Sequence, residues 1–319
     1  MSPKSAAQIA YSAAAKMVAS PAPAPQPPEA AFTITASQPG RPPRTLKYGD
    51  TFVVLDSRGD IGATSGESAG LFHKDTRHLS RLELRVNGAA PLLLGSNLRD
   101  DNSALFVDLT NPDVMDGSRI VLEKDRVHIL RTIFLWHDVA YQRLGVRNYG
   151  DRPVRLRLAI LFENDFADLF EVRGAHRAHR GTMTAELQGN DRAVLLYEGL
   201  DARTRTTTLT FDPPPDNLDV NSAVYDLHLA AGEARPIFLA VSSDETSARP
   251  LPFLRGLIAA RREMREATRG QTSVVTSNDR FNEVLCRSAA DLQMLMTDTP
   301  QGRYPYAGIP WYSTTFGRD

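Results

Sequence analysis

The sequence predicts a mainly β chain, a large antiparallel β-sandwich followed by linker helices. Apolar residues recur at every second position between Thr51 and Val241. Gly and Pro punctuate that stretch at short intervals, as at Gly59, Gly62, Gly66, Gly70, Asn148-Tyr149-Gly150 and Pro213-Pro214-Pro215. After residue 250 the apolar period lengthens to that of a helix. Many short strands with turn signals and little helix form the pattern of an antiparallel sandwich.

The first 45 residues stand apart. Lys4 is the only early charge, and Ser12 and Lys16 interrupt the apolar run. This reads as a disordered or weakly helical Ala/Pro-rich tail in preference to a secretory signal, which needs a basic start and an unbroken apolar stretch. Eight of the 21 prolines fall between residues 21 and 43, where they favour extended, solvated backbone. The first domain boundary is expected near Lys47, with the sandwich over residues 46–245.

Within the sandwich, Leu82, Leu84 and Val86 alternate with Arg81, Glu83 and Arg85 and run into Asn87-Gly88. Asn-Gly tolerates the positive φ of a tight hairpin, so Pro91–Leu94 is the expected return strand. Val154, Leu156, Leu158 and Ile160 alternate with Arg155, Arg157 and Ala159, the signature of a half-buried strand. Thr206–Phe211 is β-branched, and Leu227–Val241 reads as strand, turn at Gly232-Glu233, strand. Trp136, in Phe-Leu-Trp, reads as core.

Residues 250–300 read as a helical linker. Leu254, Leu257, Ile258 and Met264 keep helical spacing. Phe281, Val284, Leu285, Ser288, Leu292, Leu295 and Met296 do so more clearly, with Asn278 placed as N-cap and Asp279 on the helix dipole. Cys286 reads as a small buried residue near that stripe.

Composition excludes several classes. With 37 Lys+Arg against 38 Asp+Glu, there is no strong basic field for nucleic acid. One cysteine, Cys286, forbids an internal disulfide and a cysteine-built zinc site. No apolar run approaches the ~20 residues a membrane helix needs. His73 and His78, five apart, are not expected to share a strand face, and His176 and His179 sit among Arg177 and Arg180. No metal or cofactor is expected. Ser80 and Ser313 lack a nucleophile-elbow setting, and no Gly-rich phosphate loop with its Lys is present. The expected location is cytoplasmic.

Three sets of residues invite function. Glu163, Asp165, Asp168 and Glu171 lie within nine residues, followed by Arg173. They form either a polar loop paired with Arg173, Arg177 and Arg180 or a docking element; the Gly and ligand spacing of a calcium loop is absent. Asp75 and Arg77, two apart, form either a surface ion pair or a reach toward a neighbouring domain. The terminal stretch from Thr299 to Asp319 mixes Tyr, Trp, Phe and Pro with Arg318 and Asp319. It reads either as a wall of a sugar site or as aromatics packed on the sandwich.

Five stretches resemble one family. They are LKYGDTFVVLDSRGDI (46–61), GLFHKDTRHLSRLELRVNG (70–88), RNYGDRPVRLRLAILFENDFADLFEVRG (147–174), SNDRFNEVLCRSAADLQML (277–295) and AGIPWYSTTFGRD (307–319). Together they resemble the bacterial amylo-α-1,6-glucosidase, or glycogen debranching, family. The resemblance implies an N-terminal β-sandwich, a helical linker and an (α/α)6 barrel that hydrolyses α-glucosidic linkages, with residues 301–319 as the barrel's first segment. It implies that Trp311, Arg318 and Asp319 bind substrate, an α-glucan oligosaccharide or glycogen. Phe316 stands where relatives often carry Trp. Asp75, Arg77, Asp168 and Arg173 become candidates for interdomain docking.

Glycoside hydrolysis needs two carboxyl groups, about 6.5–9.5 Å apart in an inverting enzyme. Family members place them beyond the position of Asp319. The chain is therefore expected to be a non-catalytic N-terminal region, with a stand-alone carbohydrate-binding or interaction sandwich as the alternative. In the first case the apolar faces of residues 279–297 and 304–316 should lack partners. In the second they should be buried, with an aromatic platform on the sandwich.

Overall fold

The computed structural model describes residues 42–62, 68–243, 250–269, 272, 274–310 and 312–315. All of them lie in one compact unit, Ile34–Asp319; the other unit, Met1–Thr33, falls outside the described residues. β1 (Arg44–Tyr48), β2 (Thr51–Leu55), β3 (Gly70–His73) and β4 (Thr76–Leu79) pair in chain order as a four-stranded antiparallel sheet. β5 (Arg81–Val86) opens a second sheet, and β6 (Leu92–Leu98) and β7 (Leu105–Thr110) belong to a third. After a small hairpin, β8 (Val114–Asp116) and β9 (Arg119–Leu122), come the ten-residue strands β10 (Val127–Trp136) and β11 (Val139–Asn148). β12 (Val154–Glu163) pairs with β5, and the single turn α1 (Leu169–Val172) follows. Then come β13 (Thr182–Gln188), β14 (Arg192–Glu198), β15 (Thr204–Asp212), β16 (Asn217–Leu218), β17 (Ser222–Leu229) and β18 (Ala234–Ser243). The chain continues through α2 (Phe253–Thr268), α3 (Asp279–Leu295), β19 (Met296–Thr299) and β20 (Gly302–Pro305).

The third sheet has eight strands, ordered β13-β14-β15-β18-β11-β10-β7-β6. The second is β16-β17-β12-β5. Ile61 and Leu82 exchange backbone hydrogen bonds at 3.0 and 2.8 Å, which couples the first sheet to the second. One hydrophobic cluster is shared by all three sheets. Leu46, Val53 and Leu71 come from the first, Leu84, Leu158 and Tyr225 from the second, Leu109, Ile129 and Leu239 from the third. The architecture is a mainly β antiparallel sandwich, as the period-two pattern predicts.

The expected strands form, but two turns do different work. Asn87 and Gly88 adopt φ of 47° and 84°, and Val86 bridges Ala89. Yet β5 and β6 lie in different sheets, so this tight turn is a corner where the chain crosses the sandwich. The same holds at Gly232-Glu233, between β17 and β18. A two-residue turn fixes a local reversal; which sheet receives the next strand depends on long-range burial.

α2 and α3 form where helical spacing places them, and Asn278 caps α3 by accepting from the Phe281 N–H at 3.1 Å. α2 buries Phe253 and Gly256 against Phe134 and Tyr141. A Cβ at Gly256 would stand 3.1 Å from the Tyr141 ring, so glycine lets the helix lie close. Leu254 and Ile258, expected on the packed face, are exposed. The α3 stripe is also open: Phe281, Val284 and Leu292 are each more than half exposed. Cys286 is exposed with it, contrary to the expectation of burial, because the stripe has no neighbour that covers it. Trp136 is half-buried, not core, and lies under α2. Past Leu295 the described residues form the β19–β20 hairpin, with Pro300-Gln301-Gly302 at its turn, and an isolated Ala307–Thr314 bridge. No barrel helix occurs among the described residues there.

Candidate functional site

Lys74 and Asp75 both have positive φ, 44° and 64°, the geometry of a two-residue hairpin turn. β3 therefore reverses at once into β4. This turn locks onto the loop that carries α1. The Arg77 N–H donates to the Ala167 carbonyl at 2.8 Å, and the Leu169 N–H donates to the Asp75 carbonyl at 3.1 Å. Side chains complete the joint. Arg77 Nε stands 3.1 Å from each oxygen of Asp165, and Nη2 pairs with the same carboxylate. Such a forked pairing fixes orientation as well as distance.

Asp168 is the N-cap of α1. Its Oδ1 accepts from the Phe170 and Glu171 N–H groups at 2.8 and 2.9 Å, and Glu171 Oε2 accepts from the Asp168 N–H at 3.1 Å. This reciprocal capping box holds a helix too short to persist alone. Arg177 pairs with Asp168 and Glu171, and Arg180 lies 3.4 Å from Glu171. Beneath lies an apolar cluster of Phe52, Val54, Phe72, Ala167, Leu169 and Val172, with Phe52 and Phe72 stacked at 4.6 Å.

The C-terminal segment is seated on this corner. Ile309 packs against the cluster, and the Arg173 guanidinium lies 4.5 Å from the Phe170 ring centroid and 4.4 Å from that of Tyr312. Burial pushes the Asp75 carboxyl up, Asp50 adds to that shift and Arg173 opposes it. The four docking candidates Asp75, Arg77, Asp168 and Arg173 thus meet in one place. The expected Asp75–Arg77 ion pair is not what they form. Asp75 belongs to the turn and Arg77 to the strand after it, and Arg77 pairs with Asp165. Of the substrate-binding candidates, Trp311, Arg318 and Asp319 all lie outside the described residues, as does Phe316.

The same hairpin brings His73 and His78 together, against the expectation that they would diverge. They sit on facing strands, with a bulge between Leu71 and Phe72, and their rings are 5.8 Å apart. His73 Nδ1 lies 2.8 Å from the Thr51 hydroxyl, which donates to Asp138 at 3.1 Å; His78 Nδ1 lies 3.0 Å from Thr207 Oγ1. Burial, then the neighbouring His73, depress His78 to about 3, so it stays neutral. They line the floor of an open polar cleft with Lys74, Asp138, Arg203 and Arg205. The overlooked signal was the turn: residues five apart share a face when two of the four between them reverse the chain. No three His, Cys, Asp or Glu side chains among the described residues gather to hold a metal ion.

A second junction pins the helices. Lys47 is buried on β1 and its Nζ donates to the carbonyls of Gly49 (2.6 Å) and Leu295 (3.2 Å) and to Thr297 Oγ1 (2.5 Å). It so ties the C-terminal end of α3, where a cation suits the helix dipole, to the first sheet. On α2, Glu263 accepts from Trp136 Nε1 at 2.8 Å and from the Tyr48 hydroxyl, with His137 Nε2 3.3 Å away. Lys47, Tyr48, Gly49 and Glu263 border a cavity of about 110 Å³ between sandwich and helices.

Burial depresses Lys47 to about 8, against a partial rise from Asp50. An unfolded lysine binds its proton more tightly, so stability contributed here rises as pH climbs from about 8 to 10.5. Unfolding free energies from urea titrations across that range should rise relative to Lys47→Met, by on the order of 1–2 kcal/mol. Parallel profiles for the two proteins would remove Lys47 from the balance.

No curated protein sequence matches the chain. Among solved structures, a protein from the human microbiome described as a kojibiose phosphorylase aligns with 80% of this chain at 11% identity and a TM-score of 0.46. This chain spans 36% of that protein's length. A galactose mutarotase-like protein from Lactobacillus casei aligns with 63% of this chain and all of its own, at 9% identity and a TM-score of 0.36. No helix among the described residues is long and apolar enough to cross a membrane. Residues 46–240, which hold both histidines, the α1 corner and every strand from β2 to β17, match a family model. By that match the chain belongs to the family described as the N-terminal domain of (some) glycogen debranching enzymes.

Proposed function

We propose that this chain is the non-catalytic N-terminal region of a glycogen-debranching-type glycoside hydrolase acting on α-1,6-glucosidic linkages of cytoplasmic α-glucans. Its sandwich supports a helical catalytic domain. The observation that carries this reading is the open apolar stripe of α3, where Phe281, Val284 and Leu292 are each more than half exposed, since an apolar helix face is made to be covered. Ile309 and Tyr312, in the stretch resembling the start of a catalytic domain, have partners at the α1 corner, against the expectation that they stand free. The acids of that corner, Asp165, Asp168 and Glu171, have their oxygens committed to arginines and amide N–H groups, which suits a brace better than proton transfer.

The carbohydrate-binding alternative draws less support. The exposed sandwich aromatics Tyr149 and Phe170 are each stacked on an arginine, Arg147 and Arg173, and do not form a sugar platform together. The purified 319-residue chain should release no glucose from α-1,6-branched limit dextrin. Sustained turnover that tracks protein concentration would sink the proposal. In a longer family member, replacing the residues equivalent to Asp168 and Arg173 should split its single thermal transition in two.

A further inference from the structure

β13 is the outer strand of the eight-stranded sheet, and all seven of its residues are exposed, unlike any other described strand of its length. Four other edges of the three main sheets are guarded. β4 is closed by the backbone bonds to Ala167 and the Thr76–Asp168 bridge, and β5 by Ile61. β16 has two residues. β6 carries a bulge and gives its Ser96 carbonyl to Arg44 at 3.3 Å. Bulges, short strands and covering loops are the devices that stop edges from pairing. β13 has none of these: it is regular along its whole length against β14, contains no Pro or Lys, and bears one charge, Glu186.

Its faces differ. Met183, Ala185 and Leu187 stand directly opposite Tyr197, Leu195 and Ala193, which belong to or pack against the main core. They extend the inner, apolar face of the sandwich past its opposing layer, with Met183 and Leu187 about half exposed. Thr182, Thr184, Glu186 and Gln188 take the outer face, where Gln188 Nε2 donates to Glu186 at 2.7 Å.

We propose that β13 pairs antiparallel with β13 of a second copy of this chain, about a two-fold axis through Ala185. The strand is self-complementary in that register. Met183 meets the partner copy's Leu187, Thr184 meets Glu186, Thr182 meets Gln188, and Ala185 meets itself. The apolar ends of two inner faces then join into one strip, no like charges stand directly opposite, and the free N–H and C=O groups of both edges are satisfied. An eight-stranded sheet becomes a continuous sixteen-stranded one. No other shift of register places Met183 on Leu187 twice.

The axis supplies a specific test. In sedimentation of the 319-residue chain at tens to hundreds of micromolar, the wild type should associate to a dimer. Ala185→Lys and Ala185→Glu should each weaken association on the order of tenfold or more, because like charges then face each other across the axis. At protein concentrations low enough that all three are monomeric, their urea midpoints should match the wild type, since the side chain is exposed. Mixing the two variants should restore a dimer containing one of each. A wild type that stays monomeric throughout overturns the proposal, as does a dimer indifferent to both substitutions. Failure of the mixed pair to associate overturns it too.

Discussion

Replacing Arg131 by Met is expected to cost about 3–5 kcal/mol of folding stability, the range for stranding one member of a buried ion pair. Arg131 is 1% exposed, on a central strand of the large sheet. Its Nη1 pairs with Asp60 Oδ1 at 2.5 Å and donates to the Arg58 carbonyl at 3.0 Å, and its Nε donates to Gln142 at 2.9 Å. Burial pushes the Asp60 carboxyl up, Arg131 opposes that, and the Leu84 N–H donates to it at 3.1 Å. Arg131 thus ties the loop after β2 and the start of the second sheet to the third. In R131M the buried carboxylate keeps only the more distant Arg58, 3.9 Å away, whereas R131M/D60N removes both members of the close pair. Urea unfolding of both singles and the double should therefore show the double recovering much of the loss. Additive losses would mean that the two side chains are not coupled.

The second large effect is expected at Phe72. Phe72→Ala should cost about 3–5 kcal/mol, the usual price of emptying a buried aromatic site. Phe72 stacks on Phe52 and forms the floor on which α1 and Ile309 rest. The loss should therefore have a local signature besides the global one. Chymotrypsin should cut after Tyr306 and Tyr312 faster than in the wild type, at urea concentrations where the sandwich is still folded. Arg173→Ala separates the two effects. Losing a half-exposed cation–π contact should change global stability by less than about 1 kcal/mol, yet it should expose the same cut sites. If R173A is cleaved like the wild type, the guanidinium does not hold the segment.

Much of this molecule is legible in its residues. Alternation at Leu82–Val86 and Leu156–Phe162 gives strands with the correct face inward, because burying one side of a pleated ribbon selects a period of two. The cap at Asn278 and the arginines around Glu171 are local chemistry and form as the spacing predicts. Asp75, Arg77, Asp168 and Arg173 converge because the Lys74-Asp75 turn is bonded, backbone to backbone, to the loop that carries α1. The pairing of His73 with His78 was illegible, since it turns on two positive-φ residues without Gly or Asn. The pairing of Arg77 with Asp165, 88 residues away, depends on the same turn.

The residues alone settle the period, the strand and helix positions, the helix cap, the family and the balance of charge. All of these depend on residues close together or on motifs. The tertiary structure alone decided which sheet each strand enters, that Lys47 and Arg131 are buried with partners far along the chain, and that the α3 stripe and the β13 edge are left open. Those outcomes depend on which surfaces meet when three sheets close on one core, and side chains dozens of residues apart contribute to each surface.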